Sequence, residues 1–251
     1  MTGLIIWCAV TALLAAGVAA VAARLARRAK FGERRERWQD QTTGPASALF
    51  NALFLAAFAL SAVLAIQAYQ HAQANPATES QALSRLYLDA GELPGGGQLR
   101  AEVRNYATTL VNQEWPLLPQ GKASAAADQQ LTALSDQILA IKPADNAAQT
   151  TRNEALGAVD QAISARQQRL LDTHAELPWG LLICLIITAV VMVGHGLIVG
   201  LPHTTPSLVS LLVEAAVVAG AVFIVFTIRQ PYHGALAIGP DQIRLALARF
   251  H

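Results

Sequence analysis

Four long apolar runs alternate with polar segments along the chain, at residues 1–23, 46–67, 178–200 and 208–228. Each run has about the 20 residues that, at a helical rise of 1.5 Å per residue, cross a lipid core of roughly 30 Å. The last two runs are joined by the short polar turn of residues 201–207, which predicts a helical hairpin. The pattern therefore predicts an all-α membrane protein with four transmembrane helices.

The polar segment between the second and third runs, residues 68–177, has apolar residues at spacings of three and four and no alternation of period two. Thr78 is suited to cap a first helix in this segment. Further helices are predicted over residues 98–114, over residues 125–141 and from Asn146 onward. We therefore expect a helical bundle, and no sheet, inserted between the second and third spans.

Two further segments complete the predicted organisation. Residues 24–45 form a basic loop that ends at Gly44 and Pro45, where we expect an interruption before the second span. Residues 229–251 form a tail in which Asp241 opens a short amphipathic helix.

The distribution of charge predicts the orientation. The chain is 53% hydrophobic and 14% charged. Residues 24–40 hold seven Arg and Lys against three acids, whereas residues 68–177 hold eight against twelve. Loops rich in Arg and Lys stay in the cytoplasm. The basic loop and the turn at residues 201–207 are therefore predicted to be cytoplasmic, with the insert and both termini extracytoplasmic. Abundant Ala and Arg with three Lys are typical of a GC-rich bacterial genome, which indicates a multi-pass protein of the bacterial inner membrane.

Basic and aromatic residues are predicted to anchor this topology. The first run is expected to be retained rather than cleaved, because its positive residues follow the apolar core instead of preceding it. Basic side chains suit the cytoplasmic headgroups, and aromatic side chains suit the outer ends of the spans. The predicted anchors are Arg24, Arg27, Arg28, Lys30, Trp7, Tyr69, Trp179 and Tyr232.

Three spans carry a polar residue at about the same depth, namely Asn51, His195 and Glu214. Each lies about six residues from the cytoplasmic end of its span, or roughly 9 Å along the helix axis. A carboxylate in hydrocarbon needs a partner, a proton or water. This polar layer has two interpretations: a hydrogen-bond network that locks helix packing, or part of a proton or ion pathway in which Glu214 titrates.

Motifs of soluble enzymes are absent from the sequence, including the nucleophile elbow, the phosphate-binding loop and the zinc-protease helix. His71, His174 and His233 lie near the predicted outer face, but no two of them have the i, i+4 spacing of paired metal ligands on a helix. We expect no enzymatic activity, no metal, no cofactor and no nucleic-acid partner.

Short motifs follow one another from the second span to the tail. They comprise Tyr69, Glu79, Leu93, Pro94, Arg100, Tyr106, Glu114, Trp115, Pro116, Pro231, Tyr232 and Gly234. Their order and spacing resemble the bestrophin-like domain family of bacterial membrane proteins, over most of the chain from about Gly44 onward. Arg229 stands where that family usually has Asp, and Asn51 stands where Gly is expected.

The resemblance implies a distant likeness to the bestrophins, which are pentameric anion channels, and thus a homo-oligomeric ion channel in contact with membrane lipids. Small residues of the third span, Ala189, Gly194, Gly196 and Gly200, favour close helix packing. The insert has a net charge of −4, which disfavours anions at its mouth. The alternative is a non-catalytic accessory or scaffold subunit of a larger membrane complex, which docks partners through its outer helical domain.

Overall fold

The computed structural model of the chain describes residues 36–174, 177–199 and 205–250. These residues contain seven α-helices and no strand, so the predicted all-α class is confirmed. The α-helices are α1 (Glu36–Glu92), α2 (Gly96–Thr109), α3 (Ala125–Ala140), α4 (Asn146–Asp172), α5 (Trp179–Val199), α6 (Thr205–Ile228) and α7 (Asp241–Leu247). A π-helical turn, Leu110–Glu114, and a 3-10 helix, Trp115–Gln120, follow α2, and a 3-10 turn, Gly234–Leu236, precedes α7. The predicted first span and the anchors Trp7, Arg24, Arg27, Arg28 and Lys30 lie outside the described residues.

Helix α1 is a continuous helix of 57 residues. It begins inside the predicted loop of residues 24–45 and passes through Gly44 and Pro45, so the predicted interruption there is wrong. Proline removes one N–H from the helical hydrogen-bond ladder, a loss that a long helix tolerates because its other backbone hydrogen bonds remain. The predicted cap at Thr78 is also wrong. Its hydroxyl donates to the carbonyl of Ala74 at 3.2 Å, a back-bond that lets threonine occupy a helix interior.

A second proline within α1 explains one attachment of the C-terminal tail. Pro76 has no N–H to donate to the carbonyl of Ala72, one turn earlier. The hydroxyl of Tyr232, in the tail, donates to that oxygen instead at 3.4 Å. Ala72 and Tyr232 are both buried. The tail thus supplies a donor that the sequence of the helix lacks.

The chain forms two compact units. Unit 1 comprises Met1–Gln67 and Glu176–Arg229, and unit 2 comprises Ala68–Ala175 and Gln230–His251. Helix α1 contributes its first part to unit 1 and its second part to unit 2. Each unit has its own apolar core.

In unit 1, the described parts of α1, α5 and α6 pack around a small apolar core. Its buried members are Phe54, Ala57, Ala65, Leu177, Leu182, Leu185, Ala189, Val218 and Val225. Many large apolar side chains of the same helices are exposed, including Leu49, Leu55, Leu60, Val63, Trp179, Ile183, Ile187, Val190, Val213, Val217 and Ile224. An apolar exterior of this extent indicates burial in lipid or against another protein.

Length and composition mark one helical stretch within the described residues, Ala48–Glu92, as able to cross a membrane. Trp179–His195 and Leu212–Ile228 are shorter apolar helical stretches. These three stretches carry the exposed apolar side chains of unit 1.

In unit 2, the second part of α1 packs with α2, α3, α4 and α7. The apolar faces predicted by helical spacing are buried, including Leu83, Leu86, Tyr87, Leu99, Val103, Tyr106, Leu110, Leu131, Leu134, Ile138 and Val159. Helices α3 and α4 begin at the predicted residues because each has a side-chain cap. Ser124 accepts the N–H of Ala127 at 3.4 Å, and Asp145 accepts the N–H of Ala148 at 2.8 Å.

The turn between α1 and α2 requires the absence of a side chain at Gly96. A Cβ there would lie 2.7 Å from the carbonyl oxygens of Ala90 and Gly91, which are backbone atoms that cannot rotate away. We expect Gly96→Ala to lower the free energy of unfolding by about 1–3 kcal/mol, measured by chemical unfolding of the full chain in mild detergent. Gly97→Ala is the matched control, because a Cβ there meets nothing within 4 Å. It is expected to stabilise the helix by about 0.5–1 kcal/mol, and an equal loss in both variants would contradict the steric explanation.

Candidate functional site

Four charged side chains lie together in the interior of unit 2. Glu79 comes from α1, Glu114 from the end of the π-helical turn, and Arg166 and Arg169 from α4. Each is at most 4% exposed. Buried charges of this kind are rare unless they are paired and hydrogen-bonded. We call these four residues the charge cluster.

Glu114 is the central acceptor of the charge cluster. Arg166 donates to it in a fork, with Nη2 at 2.6 Å from Oε2 and Nε at 3.0 Å from Oε1. Arg169 donates through Nη2 to Oε1 at 2.7 Å. The backbone N–H of Ser124, at the start of α3, donates to Oε2 at 3.1 Å. Four donors from two helices therefore converge on one carboxylate, as charge-assisted hydrogen bonding favours.

Glu79 has fewer and longer polar contacts than Glu114. Its Oε1 accepts from the hydroxyl of Tyr106 at 3.2 Å and from Arg169 Nη2 at 3.3 Å. Its Oε2 is 3.1 Å from the same Nη2, an ion pair without hydrogen-bond alignment. The nitrogen that Glu79 uses is thus already engaged, at a shorter distance, by Glu114.

Arg169 is only partly satisfied by carboxylates. Within the described residues, its Nε and Nη1 have no hydrogen-bond partner. Its guanidinium carbon instead lies 4.7 Å from the ring centroid of Trp115, a cation–π contact. The indole N–H of Trp115 donates to the carbonyl of Ile238 at 3.0 Å. One aromatic side chain therefore contacts both the charge cluster and the C-terminal tail.

The surroundings shift the protonation equilibria of three of these side chains. Burial, opposed by the charge of Arg169, raises the pKa of the Glu79 carboxyl. Burial and then the charge of Glu79 raise the pKa of Tyr106, which therefore acts as a neutral donor. Burial alone would lower the pKa of Arg166, but hydrogen bonds to Glu114 and to the mostly exposed Asp128 outweigh it and raise that pKa.

The structure brings together residues from three of the short motifs: Glu79, Tyr106 and the pair Glu114 and Trp115. Pro116 follows them in the 3-10 helix, while Pro231 and Gly234 lie in the tail. Sequence reasoning missed Arg166 and Arg169. Their signal was periodicity, because both fall on the face of α4 whose spacing of three and four buries Ala155, Ala158, Val159, Ala162, Ala165 and Asp172.

The predicted intramembrane layer lies in unit 1. Asn51 is exposed, and His195 and Glu214 are half-buried. The His195 ring packs edge-on against Phe50, with ring centroids 5.1 Å apart, so α1 and α5 meet at this level. Among the described residues, no hydrogen bond joins the three side chains to one another. Their role as a layer stays a prediction.

Two of the predicted aromatic anchors lie in unit 2. Tyr69 donates its hydroxyl to the carbonyl of Leu236 at 3.0 Å, and Tyr232 has its ring buried in the core. Trp179, in unit 1, is 64% exposed. Over the described residues, no group of three or more His, Cys, Asp or Glu is placed to hold a metal ion.

Comparison with known proteins identifies the family. The bestrophin-like domain matches residues 11–243, which is nearly the whole chain. Comparison with curated proteins and with solved structures gave no match. The match includes the motif residues of the charge cluster and the apolar helices of unit 1. The chain therefore belongs to the bestrophin-like domain family and is a membrane protein.

Proposed function

We propose that this bestrophin-like protein is a homo-oligomeric ion channel of the bacterial inner membrane, with four spans and an extracytoplasmic helical insert. The observation that carries the proposal is the apolar exterior of unit 1 combined with two half-buried ionisable residues, His195 and Glu214. An apolar exterior suits lipid, and ionisable groups within a membrane bundle mark ion or proton pathways. The proposed function is non-enzymatic and needs no cofactor.

Unit 2 is formed by two separate segments of the chain, and this supports the proposed topology. The chain leaves this unit at Ala175 and returns to it at Gln230. Because a compact polar unit occupies one side of a membrane, an even number of crossings must separate these two residues. Helices α5 and α6 have 21 and 24 residues, enough for two crossings. The basic residues 24–40 then favour a cytoplasmic loop and extracytoplasmic termini.

The small number of spans supports assembly from several copies. Three described helical segments pack in unit 1, which are too few to enclose a pore, so conduction requires copies arranged around an axis. A Cβ at Gly194 or at Gly220 would meet nothing within 4 Å. A neighbouring helix therefore has room to approach α5 and α6 closely.

The test is made on the full chain purified in mild detergent. We expect a mass of several copies, ring-like particles with rotational symmetry, and ion flux after reconstitution into liposomes. The acidic insert predicts a preference for cations over anions. A monomeric mass together with tight liposomes would contradict the channel.

The alternative is an accessory subunit that docks a partner through unit 2. It is favoured by large apolar side chains that stay exposed on this otherwise polar unit, namely Leu88, Leu139, Leu171, Leu236 and Leu245. Purification from native membranes distinguishes the two functions. A single copy that co-purifies with other subunits at fixed stoichiometry would support the accessory role, and a symmetric ring of this chain alone would support the channel.

A further inference from the structure

The charge cluster, together with the mostly exposed Asp128, contains more carboxylates than guanidinium groups. Arg166 pairs with Glu114 and with Asp128, whose side chain is 68% exposed. Arg169 pairs with Glu114 and with Glu79. Two positive charges thus face three negative ones. Arg169 lies 2.7 Å from Glu114 and 3.1 Å from Glu79, which leaves Glu79 as the carboxylate with the weakest compensation.

Groups from α2, the π-helical turn, α4 and the tail affect the charge of Glu79. Tyr106 of α2 donates a hydrogen bond to it, and Glu114, at the end of the π-helical turn, repels it. Arg169 and, more weakly, Arg166 of α4 attract it. Tyr232 of the tail also interacts with its charge and carries a hydroxyl whose own pKa is raised by burial. The two attractive charges are the same ones that Glu114 uses.

We propose that Glu79 is a buried proton-binding site of unit 2, and that its occupancy sets the strength of the contact between α1 and α4. A proton from water converts the carboxylate to a neutral acid. The ion pair between Glu79 Oε2 and Arg169 Nη2 is then lost. Arg169 keeps Glu114 at 2.7 Å and the ring of Trp115, so only its tie to α1 weakens. This site does not depend on ion conduction by the protein.

The effect on stability has a defined sign. Burial raises the pKa of Glu79 in the folded chain, so the folded state binds this proton more tightly than the unfolded state. Protonation stabilises the fold because relief of the desolvation cost of the buried carboxylate outweighs the lost ion pair with Arg169. This stability is present at low pH and is lost as pH rises from the usual glutamate range through the raised pKa of Glu79. Burial also raises the pKa values of Asp89 and Asp172, so these two residues contribute to the same decrease of stability with rising pH. The difference between wild type and Glu79→Gln isolates Glu79.

The experiment is infrared difference spectroscopy of the full chain in lipid or detergent, stepped from neutral to mildly acidic pH. As the pH is lowered, we expect a carboxylic-acid carbonyl band to appear at pH values above the usual titration range of glutamate. This band should be absent in Glu79→Gln. Glu92→Gln, on the exposed face of the same helix, should keep the band. The wild-type unfolding midpoint should fall with rising pH more steeply than that of Glu79→Gln.

Two results would overturn the proposal. One is a folded Glu79→Gln protein whose carboxylic-acid band and whose pH dependence of the unfolding midpoint are the same as those of the wild type. The other is a wild-type spectrum without a band from a buried glutamic acid, tested with carbon-13-labelled glutamate so that aspartic acids are distinguished. If Glu79→Gln does not fold, Glu79→Asp provides the second variant. It keeps the acid but shortens its reach, so the band should persist at a shifted frequency, and an unshifted band would exclude Glu79 as its source.

Discussion

Replacement of Glu114 by Gln is expected to lower the free energy of unfolding by about 3–5 kcal/mol, because it leaves Arg166 and Arg169 buried without their shared carboxylate. Glutamine has the same shape but no charge, and its amide nitrogen would face guanidinium donors. Both arginines are at most 4% exposed, so water cannot replace the lost partner. The measurement is chemical unfolding of the full chain in mild detergent, followed by the helical signal in circular dichroism.

Glu154→Gln is the matched control for this substitution. Glu154 lies on α4, the helix of both arginines, but its side chain is exposed. Changes at exposed charges usually alter stability by less than about 0.5 kcal/mol. A loss below about 1 kcal/mol in Glu114→Gln, or an equal loss in both variants, would show that the ion pairs of the cluster contribute little to the fold.

Substitution of Glu214 by Gln is expected to abolish ion flux in liposomes while the protein still assembles. Glu214 is the one acidic residue within the two apolar runs that form α5 and α6. If it lines the proposed pathway, a neutral amide of the same size removes the charge that attracts a cation or carries a proton. The measurements are flux in liposomes and oligomer mass in detergent, compared with those of the wild-type protein.

Thr227→Val is the control on the same helix. The hydroxyl of Thr227 donates to the carbonyl of Phe223 at 2.9 Å, so it is satisfied within α6, and its replacement should leave flux unchanged. Unaltered flux in Glu214→Gln would favour the other interpretation of the polar layer, a hydrogen-bond network that locks packing. Loss of assembly in Glu214→Gln would also favour packing.

Local pattern was enough to predict most of unit 2. The starts of α3 and α4 follow from the capping side chains of Ser124 and Asp145, which need only neighbouring residues. The continuity of α1 could not be predicted in this way, because a proline reads locally as a helix breaker. At Pro76, the replacement donor is Tyr232, which is far away in sequence. Because this donor comes from a tertiary contact, the residues next to the proline do not indicate that the helix continues.

The charge cluster was only half predictable for a similar reason. Glu79, Tyr106, Glu114 and Trp115 were recognised as members of several short motifs, but the sequence does not show that these motifs are in contact. The π-helical turn that ends at Glu114 has no simple sequence signature, yet it places the carboxylate beside α4. An arginine on a helix is usually exposed, but Arg166 lies on the face of α4 that is buried.

The hydrogen bond from Tyr232 to Ala72 also affects when unit 2 can complete its fold during synthesis. Residues that complete the interior of unit 2 leave the ribosome after α5 and α6, since Tyr232, Ile243 and Phe250 all lie in its core. Until they arrive, the carbonyl opposite Pro76 and the indole of Trp115 lack their partners. The core of unit 2 therefore stays incomplete while α5 and α6 are synthesised, and nascent chains stalled before Gln230 should be sensitive to proteases throughout this unit.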